Sequence, residues 1–70
     1  MAREETVLNT VQMLRIQEEI TQEELAGALG VTRQTIIAIE KGNYTPSVLL
    51  ALKIAAFFKK PVDTIFSIKR

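Results

Sequence analysis

Apolar residues along this chain fall into blocks of helical period, each bounded by turn residues. In 21–29, "TQEELAGAL", Leu25, Ala28 and Leu29 recur at three- and four-residue spacing, which lines one face of an α-helix. Thr21, followed three residues later by Glu24, forms a capping box that starts this helix. Gly30 ends it, because glycine takes the left-handed conformation at low cost. Only Val31 and Thr32 separate this block from the next, 33–41, in which Ile36 and Ile39 face inward. Thr32 supplies its cap and Gly42 its stop. Two short helices joined by so tight a turn must cross at a steep angle.

"NYTPSV" reads as a loop by its turn residues, with Ser47 capping a helix over 48–58. That helix, "VLLALKIAAFF", is apolar nearly all round. Pro61 breaks the chain, and a short helical turn runs through Asp63 to Ile65. Near the N-terminus, Asn9 and Gln12 make a second capping pair, which places a helix start at Thr10. Thr6 and Val7 are β-branched, and "IFSIK" alternates apolar and polar. A strand at about 5–8 pairing with one at 66–69 is therefore expected in place of one continuous N-terminal helix. The pattern predicts a single, mostly α domain over residues 1–70, with a small two-stranded antiparallel sheet.

Composition removes most chemistry. The chain has no cysteine and no histidine, so it forms no disulfide and lacks the usual zinc ligands. Without His or Cys, its hydroxyls and carboxylates have no ordinary activating base. Seventy residues also give little room to enclose a substrate pocket, so an enzyme is not expected, and no cofactor is implied. There is no signal segment and no apolar run of membrane-spanning length, which makes a soluble cytoplasmic protein the expectation.

Charge adds a direction. The net charge of +1 is split, with residues 1–30 at −4 and residues 31–70 at +5. Such a split gives one basic face able to meet a polyanion.

The stretch "TQEELAGALGVTRQTIIAIEKGNYTPSVLLALKIA" resembles the phage-repressor and Cro-like helix-turn-helix family of DNA-binding regulators, and the similarity runs from Arg15 to Phe66. Ala26 at the helix crossing, Gly30 in the turn, and Ile36 and Ile39 under the second helix stand at that family's spacing. The resemblance implies a five-helix, lambda-repressor-like fold whose second motif helix enters the DNA major groove. There an Arg can fork onto guanine and a Gln can bond adenine. Arg33 and Gln34 match the base-reading positions, and Ile37 and Ala38 match groove-facing positions one turn on. Ile37 departs from the family's usual small or polar residue, which points to contact with a thymine methyl group. Gln22, Thr32, Thr35, Lys41, Asn43 and Tyr44 stand where family members touch phosphate. Arg15 and Glu40 match a structural ion pair that ties the first helix to the end of the reading helix.

Relatives bind palindromes as dimers, so a homodimer on double-stranded DNA is expected. Leu49 and Ala56 share one face of the 48–58 helix, and Phe57 adds bulk beside them. With Phe66 and Ile68 they form the expected dimer interface. The expected function is a transcriptional regulator, in the form of a repressor. An antitoxin and a protein-interaction adaptor of the same fold are the alternatives, and a further protein partner or small effector is left unspecified.

Overall fold

The computed structural model describes residues 5–69, which fold in the order β1 (Thr6–Asn9), α1 (Val11–Gln17), α2 (Gln22–Leu29), α3 (Arg33–Lys41), α4 (Val48–Phe58), α5 (Val62–Ile65) and β2 (Phe66–Lys69). The two strands pair antiparallel, with Val7 opposite Ile68 and Asn9 opposite Phe66. The mostly helical class with its small sheet is as expected, although β1 lies one residue later than the β-branched pair had indicated.

Local capping accounts for the helix boundaries. Thr21 and Glu24 form the reciprocal box: Glu24 N–H donates to Thr21 Oγ1 at 3.0 Å, and Thr21 N–H donates to Glu24 Oε1 at 2.8 Å. Ser47 Oγ accepts from Leu50 N–H at 3.1 Å and so starts α4. Gly30 takes φ +75° and lets Val31 N–H return to the Ala26 carbonyl, which closes α2 and turns the chain into α3. α1 ends without a glycine: Glu19 adopts φ +57°, as Lys59 does after α4.

Asn9 behaves differently from the expected capping pair with Gln12. Its Oδ1 accepts from Val11 N–H at 3.0 Å, two residues on, and the first helical residue is Val11 rather than Thr10. Thr10 is the cap: its backbone is outside the helical range, at φ −114° and ψ 22°, and its N–H is held by the Ile65 carbonyl at 3.0 Å, at the root of β2.

The core is built from all five helices, with Val11, Leu25, Ile36, Ile39, Ile54 and Ile65 essentially removed from solvent. Ala26 is buried where α2 meets α3, whereas Ala28 is exposed, contrary to its expected place on the inner face. In α2 the buried residues are Leu25, Ala26 and Leu29, a stripe turned by one position. α4 buries Leu50, Ile54 and Ala55 and leaves its opposite flank apolar and uncovered.

Candidate nucleic-acid interface

The candidate site is the outer face of α3. Thr32 Oγ1 accepts from Thr35 N–H at 3.2 Å and starts the helix, and the two threonine hydroxyls lie 3.1 Å apart. Ile36 and Ile39 are fully buried beneath it. Arg33 and Gln34 therefore project outward from the first turn, exposed and without a side-chain hydrogen bond among the described residues. Ile37 and Ala38 follow one turn later on the same stripe and are half-buried, recessed toward the body of the protein. Lys41 continues the stripe, and Asn43 and Tyr44 extend it into the following loop, all three exposed.

The last turn of α3 is held from behind. Arg15 Nε donates to Glu40 Oε2 at 2.7 Å, and Arg15 Nη2 donates to Glu40 Oε1 at 3.2 Å, a forked pair. Arg15 Nη1 also donates to the Ile20 carbonyl at 2.9 Å, so this guanidinium is bonded through all three nitrogens. The hydrogen bond to Glu40, helped by that carboxylate's charge and opposed by burial, holds the Arg15 pKa above its ordinary value.

Gln22 occupies a place that sequence alone did not indicate. Its Nε2 donates to Glu40 Oε1 at 3.0 Å, a third donor to that carboxylate after the two of Arg15. One amide proton of Gln22 is thus committed to Glu40, and of the first-turn backbone N–H groups of α2 those of Gln22 and Glu23 remain beside it, since Glu24 N–H is taken by the Thr21 cap. An open cleft of about 370 Å³ lies here, lined by Arg15, Thr21, Gln22, Glu23 and Arg33. Arg33 brings a positive charge to that cleft and Glu23 a negative one, while Arg15 is already paired with Glu40, and the α2 N-terminus adds its dipole.

Two further contacts escaped the sequence pattern. Asn9 Nδ2 donates to the Ile39 carbonyl at 2.9 Å across 30 residues, and Lys53 Nζ donates to the Leu29 carbonyl at 3.0 Å. No short-range signal marks either one. The exposed flank of α4 was partly foreseen: Leu49 is 69 % exposed, while Ala56 and Phe57 are exposed beside it. Val48 and Leu52 belong to the same flank and were missed, although Leu49, Leu52 and Ala56 stand at the i, i+3, i+7 spacing of one helix face. Ile68 is exposed and Phe66 half-buried on the inner face of the sheet. Phe66 and Val7 line an apolar groove of about 180 Å³ that reaches Pro46, Val48 and Ala51 at the start of α4.

Among the described residues, no cluster of His, Cys, Asp or Glu is able to hold a metal ion, and no helix is long and apolar enough to cross a membrane.

This geometry, two helices about a glycine turn with the second presenting Arg and Gln, defines a helix-turn-helix protein. A family model described as helix-turn-helix matches residues 11–65. The chain is 55% identical over 58 residues to an uncharacterized HTH-type transcriptional regulator of Methanocaldococcus jannaschii, covering 83% of this chain and 88% of that protein. It is 50% identical over 58 residues to the HTH-type transcriptional regulator YgzD of Bacillus subtilis, with the same two coverages. It is also 35% identical over 54 residues to the cryptic phage CTXphi transcriptional repressor RstR of Vibrio cholerae, covering 77% of this chain and 49% of that protein. The chain belongs to the phage-repressor and Cro-like helix-turn-helix family of DNA-binding transcription regulators.

Proposed function

We propose that the protein is a cytoplasmic transcriptional repressor, without enzymatic activity, that binds a palindromic operator as a homodimer. The observation that carries this reading is the contrast along α3. Its last turn is pinned by Arg15, while Arg33 and Gln34 in its first turn are exposed and uncommitted. Such donors, held on a rigid helix, are what base-edge readout requires. Arg33 forks onto a guanine and Gln34 bonds an adenine, with Ile37 and Ala38 packing against the groove floor. Gln22, Thr32, Thr35, Lys41, Asn43 and Tyr44 touch phosphates around the helix. The cleft beside Arg33, fed by free N–H groups at the start of α2, takes one of these phosphates. The repressor assignment is supported by the name of the Vibrio cholerae relative.

Two copies meet through Leu49, Ala56 and Phe57 of α4 with Phe66 and Ile68 of β2, joined by Val48 and Leu52. An α4 flank this apolar is unusual for a solvated helix, and covering it by a second copy removes the exposed patch. A two-fold dimer sets its reading helices about 34 Å apart, one turn of DNA.

Selection of bound duplexes from a random pool, run with the wild type and Arg33→Ala, tests the reading. The wild type enriches a two-fold sequence, and the variant loses discrimination at one base per half-site, worth about 1–3 kcal/mol. Uniform weakening across all sequences demotes Arg33 to a phosphate contact. No enrichment by the wild type leaves a protein-interaction role for the fold.

A further inference from the structure

The last turn of α3 is held at two consecutive residues by two bonds of different direction. Glu40 is gripped through its side chain, which projects sideways from the helix, so the Arg15 fork fixes rotation of α3 about its own axis. Ile39 is gripped through its carbonyl, which points along the axis, so the Asn9 amide fixes how far α3 extends past the body of the protein. Rotation decides which side chains face the groove. Axial position decides where along the DNA they arrive.

Asn9 is well placed for the second task. It is the last residue of β1, paired with Phe66 of β2, and its neighbour Thr10 is bonded to the Ile65 carbonyl. Its Oδ1 is occupied by Val11 N–H, which orients the amide so that Nδ2 faces Ile39. Among the hydrogen bonds of the described residues, the one from Asn9 to Ile39 runs directly from the sheet to the reading helix. The same sheet carries Phe66 and Ile68, assigned above to the contact between copies.

We infer that Asn9 is a positioning residue that sets the spacing at which the two reading helices of the dimer meet DNA, by tying the sheet to the end of α3. This inference rests on the homodimer reading. Its consequence is selective: base preference within a half-site depends on Arg33 and Gln34 and survives loss of the tie. The penalty for moving the half-sites apart does not survive.

Asn9→Asp separates the two bonds of this side chain. The carboxylate keeps the acceptor for Val11 N–H at the start of α1, and loses the donor to Ile39. Binding is measured to the wild-type selected site, to the same half-sites respaced by one base pair, and to a site with one base changed inside a half-site. Asn9→Asp should discriminate against the altered base as the wild type does. Its penalty for respacing should fall about five- to tenfold, the size of one net hydrogen bond. Should the carboxylate prevent folding, Asn9→Ser keeps a capping hydroxyl, is too short to reach Ile39, and should give the same result.

A respacing penalty equal to that of the wild type in a folded variant overturns the inference. So does an equal loss of spacing and base discrimination, which is what general destabilisation produces. A wild type that selects no two-fold sequence defeats the homodimer reading and takes this inference with it, and that failure appears before any variant is tested.

Discussion

Arg15 and Glu40 lie 25 residues apart in sequence and meet in a forked pair whose side chains are only 12 % and 3 % exposed. Removing one partner from so enclosed a pair strands the other charge. Arg15→Ala leaves the Glu40 carboxylate with Gln22 as its remaining donor and is expected to cost about 3–5 kcal/mol in urea unfolding. Arg15→Lys keeps the charge without the planar fork and should cost about 1.5–3 kcal/mol, one charge-assisted bond. A lysine variant as stable as the wild type would show that the fork geometry contributes nothing.

The sign of the Arg15 shift sets its pH dependence. Its pKa is raised on folding, chiefly by the hydrogen bond to Glu40, so the contribution is fully present below the unfolded pKa. It is lost only as pH rises through the higher folded value, at strongly alkaline pH. Across about pH 5–9, the stability difference between wild type and Arg15→Ala should therefore show no slope from Arg15 titration. Urea titrations at several pH values check this, and a difference that shrinks steadily from neutral toward pH 9 contradicts it.

Ile37 is the reading-helix residue whose role is most open to direct chemistry. If it packs on a thymine methyl, replacing that thymine by uracil removes the same contact as Ile37→Ala does from the protein side. Each change should weaken binding about fourfold, the value of about one buried methyl group. The two together should weaken it no further than either alone. Fully additive losses at every thymine of the site place Ile37 elsewhere.

Legibility of these features followed their range along the chain. The caps at Thr21, Thr32 and Ser47 each close over three residues, so the pattern of hydroxyl and acid positions displayed them. The crossing of α2 and α3 followed from Gly30, because a short glycine turn leaves few geometries. Glu19 and Lys59 take positive φ with ordinary side chains, and no residue type announces that. The Asn9 bond to Ile39 spans 30 residues and the Gln22 bond to Glu40 spans 18, contacts that exist only once the helices are packed. Arg15 with Glu40 is equally remote and was reached through family resemblance, not through periodicity. Leu52 was legible, since it stands three residues after Leu49 on a helix whose one charged residue is Lys53.

The α4 flank makes a prediction about assembly. Val48, Leu49 and Leu52 are 77 %, 69 % and 53 % exposed, so a charge at Leu49 or Leu52 costs the isolated fold little. Leu49→Glu and Leu52→Glu should each keep the wild-type circular dichroism spectrum and shift sedimentation from dimer to monomer. Operator binding should become weaker and less steep in protein concentration. A wild type that sediments as a monomer at tens of micromolar, with Leu49→Glu indistinguishable from it, removes this interface.

Gly27 and Gly30 sit three residues apart and should respond oppositely to alanine. Gly27 lies inside α2, and a Cβ placed there meets nothing within 4 Å. Gly27→Ala therefore relieves the helix of a poor former without a clash, and should stabilise by about 1 kcal/mol. For a domain of this size that raises Tm by about 4–8 °C. At Gly30 an added Cβ also meets no clash, since its nearest heavy atom is Lys53 Nζ in ordinary contact at 3.8 Å. The obstacle is the backbone: φ is +75°, where an L side chain crowds its own carbonyl at a cost of about 1–2 kcal/mol. Gly30→Ala should thus lower Tm although its methyl group clashes with nothing. Thermal unfolding of the two variants side by side isolates backbone conformation from packing at the turn that sets the angle of α3. Equal responses in the two variants would mean that the left-handed turn carries no such cost.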